Sequence, residues 1–424
     1  MPSLRLAASC LVVANFLLAA TTLAFAESDA EDARLSPYLE VLRRDGVEPV
    51  RFVSRALDQH DLVIFDDAVH PAVEPFDFYR QLINDQTFQR HAPIIFLELI
   101  PSNKQRHIEA YLSAPSDDPR LLYPAFQDNA NGQGFNFKTY FDFLKAVRET
   151  NQSLPADRRL QVVGAGGETY WSEIQTPRDL ALYYQSTYGY DHHMYVIVLE
   201  VMEHFKAGKK GILLTNTRHA YKGIKQKNGQ YFWDTGTFFA QWHPGKTYSI
   251  RLHNVALSIR AIKPVDPKTS QTLQGMERLD YKFVRMARGL WDTAFRANGD
   301  RPVAIPLAHN VFGQEPYIGN HQPEALPNQK IEDAYDALIF LAPLEKLRQT
   351  AQVDFIYTPA FRQELKRRFR LEHSEAELAE MLKGAHEANL DDWFAKALVT
   401  APEQPLELAK TLGPIDEWKQ PVRQ

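Results

Sequence analysis

Residues 62–70 read Leu62-Val63-Ile64-Phe65-Asp66-Asp67-Ala68-Val69-His70. Four consecutive apolar residues run straight into an acidic loop. The run does not alternate with polar residues, so both of its faces need cover, as in a buried strand of a parallel sheet. Helical spacing flanks it, with Phe52, Val53 and Leu57 before and Phe76, Tyr79, Leu82 and Ile83 after.

The same unit recurs along the chain. Ile94-Ile95-Phe96-Leu97 ends at Glu98, Leu160-Gln161-Val162-Val163 ends in Gly164-Ala165-Gly166-Gly167-Glu168, and Gly211-Ile212-Leu213-Leu214 runs into Thr215–His219. Helical stretches near 103–113, 137–147, 178–186 and 190–207 separate these runs. Strands alternating with helices predict an α/β fold with a mostly parallel central sheet flanked by helices. Shorter β-like runs follow at Tyr248–Leu252 and Val255–Ile259, and Ala337–Leu341 reads as a last core strand. From about 360 to 398 the pattern is helical and heavily charged, as in Arg367-Arg368-Phe369-Arg370, which predicts a solvated helix face.

The N-terminal stretch has a different character. Residues 1–26 hold one charged side chain, Arg5, an apolar run over Leu11–Leu23 and then Ala24-Phe25-Ala26. This is the order of a secretory signal peptide with a small-x-small cleavage site, so the expected product is exported, periplasmic or secreted. The expected organisation is a signal at 1–26, an α/β domain at 27–345 and a helical extension at 346–424. The only cysteine, Cys10, leaves with the signal. That excludes disulfides, thiolate metal sites and a thiol nucleophile.

Of 424 residues, 48 are Lys or Arg and 53 are Asp or Glu, a balance that gives no electrostatic reason to bind nucleic acid. After residue 26 no apolar run approaches the ~18 residues of a membrane span. The sequence holds no GxSxG, P-loop or HExxH motif. Gly164-Ala165-Gly166 after a strand has Thr169 where a dinucleotide fingerprint needs its third glycine.

In open α/β sheets ligands bind at the carboxyl ends of the strands. There the sequence places Asp66, Asp67 and His70 after the first run, Glu98 after the second, Glu168 after the third, and Asn216, Arg218 and His219 after the fourth. A histidine among carboxylates is a general base for activating water. The same set, through His70, His219 and carboxylate oxygens, could instead hold a divalent metal. Arg218 could meet an anionic substrate or a developing oxyanion. Asp66 could simply cap the next helix. His253, His309 and His321 read as structural.

A strand, then acid-x-x-His, then a helix, then a strand ending in Glu resembles the erythromycin esterase, ChaN-like and Tiki superfamily, over roughly residues 55–345. Asp67 falls where that family has the glutamate of its Gly-Glu-x-x-His motif, and His70 where it has the histidine. Phe96-Leu97-Glu98-Leu99 matches its second strand. Asn216-Thr217-Arg218-His219 matches the later pair in its second histidine only, and Tyr335–Phe340 is similar to the closing strand of the esterase branch. The resemblance implies ester or lactone hydrolysis from the esterase branch, metal-dependent proteolysis from the Tiki branch, or haem binding from the ChaN-like branch. For haem, the aromatics Tyr231, Phe232, Trp233, Phe238, Phe239 and Trp242 could line a slot, or simply form core. The expected partner is a small-molecule substrate or ligand. Asp66 stands where the family has glycine and is expected to obstruct close approach of a ligand, leaving room for a degenerate member.

Overall fold

The computed structural model describes residues 33–421 apart from 92, 131, 187–188 and 263–278. The signal reading at 1–26 lies outside the described residues. Seven strands form the main sheet: β1 (Leu62–Asp66), β2 (Ile94–Pro101), β3 (Gln161–Gly166), β4 (Gly211–Thr215), β5 (Thr247–Leu252) and, after a separate antiparallel hairpin of β6 (Ala256–Ile262) and β7 (Leu279–Val284), β8 (Val303–Pro306) and β9 (Ala337–Phe340). Their order across the sheet is β3-β2-β4-β1-β5-β9-β8. All neighbours are parallel except β8, which runs antiparallel to β9 at the edge.

The unbroken apolar runs are explained by two cores. Val63 and Phe65 of β1 face one core, with Ile95 and Leu97 of β2 and Ile212 and Leu214 of β4. Leu62 and Ile64 face the other, with Ile94, Phe96 and Leu213. The first core takes its cover from helices Val73–Asn84, Lys138–Ser153 and Pro359–Glu372, through residues such as Phe76, Tyr140 and Phe361. The second is covered by Tyr190–Val201, Thr235–Trp242 and Leu290–Ala297, through Met194, Phe239 and Trp291. Each such apolar side chain removed from water contributes about 1.5–3 kcal/mol before the entropy of ordering it.

The C-terminal helices share the first core, since Leu365, Phe369, Leu378 and Phe394 are buried in it. The charged run at 367–370 is therefore not uniformly solvated. Arg368 is buried, with Nε 2.9 Å from Glu364 Oε1 and its guanidinium 4.7 Å from the centre of the Trp171 ring, and it also pairs with Asp128. A Glu on the previous turn and an Asp just past the end of the helix Tyr123–Gln127 satisfy the cation, which is the condition for burying one.

Two local features position the site. The β2–β3 register holds from Ile94↔Gln161 to Leu97↔Gly164 and then shifts before Pro101↔Gly166. Glu98 sits in this irregularity, inside β2 rather than beyond its end, and a bulge re-aims the side chain it carries. Glycine at 166 permits it, because a Cβ there would lie 2.2 Å from the Glu98 carbonyl oxygen. The glycines after the third run thus serve strand packing. Secondly, β1 pairs with β4 and β5 so that Asp66 stands beside Thr215 and Arg251. Chain direction turns back at β1, between the outward progression to β3 and the later addition of β5, and this is a topological switch point.

Candidate functional site

Asp66 and Asp67 follow one another at the end of β1 and have opposite surroundings. Asp66 is fully buried and does not cap the next helix, Val73–Asn84, whose N-cap is Ala72. Its Oδ1 accepts the backbone N–H groups of Ala68 (2.7 Å) and Thr217 (2.6 Å), and its Oδ2 accepts from Arg251 (3.1 Å) and from the Tyr335 hydroxyl. Ala68 and Thr217 have φ of 62° and 40°, the left-handed region that costs a non-glycine residue about 1–2 kcal/mol. One carboxylate oxygen therefore ties together the turns after β1 and β4. The aspartate expected to obstruct the site points its carboxylate into this internal network.

Asp67 is also buried, but Oδ1 has no hydrogen-bond partner and Oδ2 lies 3.4 Å from His70 Nδ1. Burial pushes its carboxyl up to about 6, against the pull of His70. His70 is partly buried, and the Tyr140 hydroxyl lies 3.3 Å from its Nδ1. Burial works against charge on this ring, yet the carboxylates of Asp67 and Glu98 outweigh it and raise its pKa to about 8.

Glu98 stands between two imidazoles. Its Oε2 is 3.9 Å from His70 Nε2 and accepts the Asn216 N–H at 3.0 Å, and its Oε1 is 3.3 Å from His219 Nε2. His219 is buried, and its other nitrogen, Nδ1, lies 2.6 Å from Asp191 Oδ1. Burial disfavours the imidazolium, but Glu98 and Asp191 outweigh that and raise the His219 pKa. Burial alone would raise the Asp191 pKa as well. The His219 ring, Arg218 and the Thr235 N–H hold it instead well below the usual carboxylate range.

The order of side chains is thus Asp67–His70–Glu98–His219–Asp191, spanning β1, β2, β4 and the start of the helix Tyr190–Val201. Of the residues that open this helix it is Asp191, and not the two histidines after it, that reaches the cluster. His192 packs against Phe238 and His193 Nε2 lies 3.0 Å from Ser102 Oγ. Arg218 stands at the rim, largely exposed, with Nε 3.8 Å from Asp191 Oδ2. Glu168 is not brought to the cluster. It is exposed and accepts the Tyr170 hydroxyl.

A cavity of about 350 Å³ opens beside the cluster and is bordered by His219, Arg218, Asn216, Arg251 and the hairpin residues Leu257 and Phe283. His70 lies one carboxylate away from it, across Glu98. The six aromatics of residues 231–242 do not line this cavity; Phe238 and Phe239 are core, while Trp233 and Trp242 are half-exposed and pack against Phe238. Among the described residues no group of three His, Asp or Glu side chains has the arrangement of a metal site. The geometry of His219 agrees, because a carboxylate faces each of its ring nitrogens and such a ring holds protons at both rather than offering a lone pair.

No family model matches the sequence, and no curated protein matches it. Solved structures do. They include an erythromycin esterase variant in its open conformation, at 11% identity and a TM-score of 0.42, covering 68% of this chain and 92% of that one. A succinoglycan biosynthesis protein matches at 8% identity and a TM-score of 0.47, covering 72% and 96%. ChaN of Campylobacter jejuni, solved with cofacial haem, matches at 12% identity and a TM-score of 0.32, covering 55% and 89%. An esterase and a ChaN protein are thus among the structures it is similar to, the groups to which the motif at 65–70 points. Any chemistry has to be argued from the side chains.

Proposed function

We propose that this chain is an exported hydrolase that cleaves an ester or lactone of a small-molecule substrate. The observation that carries the reading is the Asp67–His70–Glu98–His219–Asp191 series at the carboxyl ends of adjacent parallel strands, beside a cavity. The gap of 3.9 Å between His70 Nε2 and Glu98 Oε2 is too long for a direct hydrogen bond and suits a shared water. In this reading the neutral His70 takes a proton from that water and the oxygen attacks the carbonyl carbon. His219, kept charged by Glu98 and Asp191, meets the negative charge that forms on the carbonyl oxygen. The C–O bond to the leaving alcohol then breaks, and an imidazolium returns a proton to it. Asp67 and Asp191 are positioning residues that hold the two rings.

The test is hydrolysis of p-nitrophenyl butyrate by the purified chain and by His70→Ala. The variant should lose about 10²–10⁴-fold in rate, the range for a general base. Equal hydrolysis by both proteins would remove His70 from the mechanism. Export rests on residues 1–26, and the mass of the protein recovered from a bacterial periplasm should lack them.

A further inference from the structure

We infer that the cavity beside His219 is a binding site for an amphipathic monocarboxylate, with its carboxylate on Arg218 and its apolar body against the β6–β7 hairpin. The inference rests on the hydrolase reading only in naming the substrate class of the same site, namely esters that carry a free carboxylate.

The wall is divided in character. Among the described residues no carboxylate lines the cavity; the acids of the cluster stand behind it, and the charged side chains that reach the wall are Arg218, His219 and Arg251. Two of these already have close counter-charges, since Arg251 is paired with Asp66, and His219 with Asp191 and Glu98. Arg218 differs. Its nearest carboxylate oxygen, Oδ2 of Asp191, is 3.8 Å from Nε, beyond hydrogen-bond reach, and among the described residues its two terminal nitrogens make no hydrogen bond. A guanidinium that touches Asp191 only through a long ion pair, with its terminal nitrogens turned to the rim, presents a planar fork that complements a single carboxylate.

The other arginine of the wall is committed inside the protein. Arg251 is 5% exposed and its Nε has no hydrogen-bond partner, although its other nitrogens bind Asp66, Tyr335 and the Val255 carbonyl. The opposite wall is apolar. Leu257 and Phe283 are register partners across the hairpin and are partly buried, so they form one surface facing the cavity, continued by Val69, Val255 and Ile318. At roughly 30 Å³ per water-sized volume, about 350 Å³ admits a ligand of on the order of a dozen non-hydrogen atoms.

The probes are 4-phenylbutyrate and 4-phenylbutan-1-ol, which share the apolar body and differ in charge, titrated calorimetrically into the full chain. The acid should bind about tenfold or more tightly than the alcohol, as expected for one desolvated charge-assisted pair. Arg218→Met should erase that preference, and Phe283→Ala should weaken both ligands alike. Equal binding of acid and alcohol, an acid preference that survives Arg218→Met, or no binding of either ligand would each overturn the inference. His70→Ala, a variant without the proposed base, should keep the wild-type preference. A protein that binds the acid selectively but cleaves no ester overturns the hydrolase reading alone. One that cleaves esters without preferring the acid overturns this inference alone.

Discussion

His219 and His253 both stand just past a strand of the main sheet, β4 and β5, and each meets an aspartate carried by a helix. The sequence reading gives strand-end logic to the first and denies it to the second, yet by position they are equivalent. The difference lies in what surrounds each ring. His219 has a carboxylate on either nitrogen and borders a cavity. His253 is buried against Phe295 and Phe340, with Nε2 3.1 Å from Asp292 and no partner on Nδ1. A histidine–aspartate pair at a strand end thus occurs both with and without an accessible site. It becomes a candidate for chemistry only where a second carboxylate and open space join it.

The largest effect that tests this contrast is on stability. Asp292 lies between His253 and Arg285, whose Nη1 is 3.5 Å away in a buried setting. Removing it leaves buried polar groups without their counter-charge, so Asp292→Ala should cost about 3–5 kcal/mol in urea unfolding. Ester hydrolysis per folded molecule should stay as in the wild type. A cost below about 1 kcal/mol, or a selective loss of hydrolysis, would end the distinction between a structural pair and a functional one.

The next effect is on catalysis. Asp191→Asn keeps the shape and removes the charge that holds His219 protonated and fixed. kcat should fall about ten- to a hundredfold, roughly 1.4–2.7 kcal/mol of barrier, with little change in KM. The ratio of the two losses then measures the contrast. If Asp191→Asn behaves as Asp292→Ala does, with stability lost and kcat intact, the His219 pair is structural too.

A third effect is on pH. His70 is raised to about 8 from an ordinary 6.5, so its neutral, proton-accepting form appears only as pH passes 8, and hydrolysis should rise through that region. The stability it contributes has the opposite slope. It is complete below the unfolded value near 6.5 and is lost as pH rises through 8. Asp67→Asn removes the nearest negative charge and should move the rise in rate down from about 8 towards 6.5. An unmoved pH profile would show that Asp67 does not set the charge on His70.

How much of this was legible follows from where the information resides. Apolar runs such as Leu62–Phe65 carry the sheet in local sequence, because strands buried on both faces admit little else. Asp67, His70, Glu98 and His219 are also legible, since strand ends converge in any parallel sheet. Asp191 is not, because a helix start gives no sign of which strand end it will meet. Arg251 and Tyr335 come to Asp66 only through the order β1-β5-β9, which local periodicity does not encode. The edge strand β8 is short and antiparallel and escapes the pattern for the same reason.

The smallest expected effect concerns the one strand-end acid that the fold sets apart. Glu168 follows β3, the outermost strand on its side of the sheet, with β2 between it and β4. It is exposed, its carboxylate accepts the Tyr170 hydroxyl, and its carbonyl accepts the Tyr183 hydroxyl at 3.2 Å. A solvated carboxylate outside the cluster has little field at the reacting atoms once water and salt screen it. Glu168→Gln should therefore leave kcat/KM within about twofold of the wild type, below roughly 0.4 kcal/mol. A loss of tenfold or more would mean that the loop after β3 closes onto the cluster when substrate binds. The contrast between strand ends would then depend on the bound state, and the static arrangement would understate the size of the site.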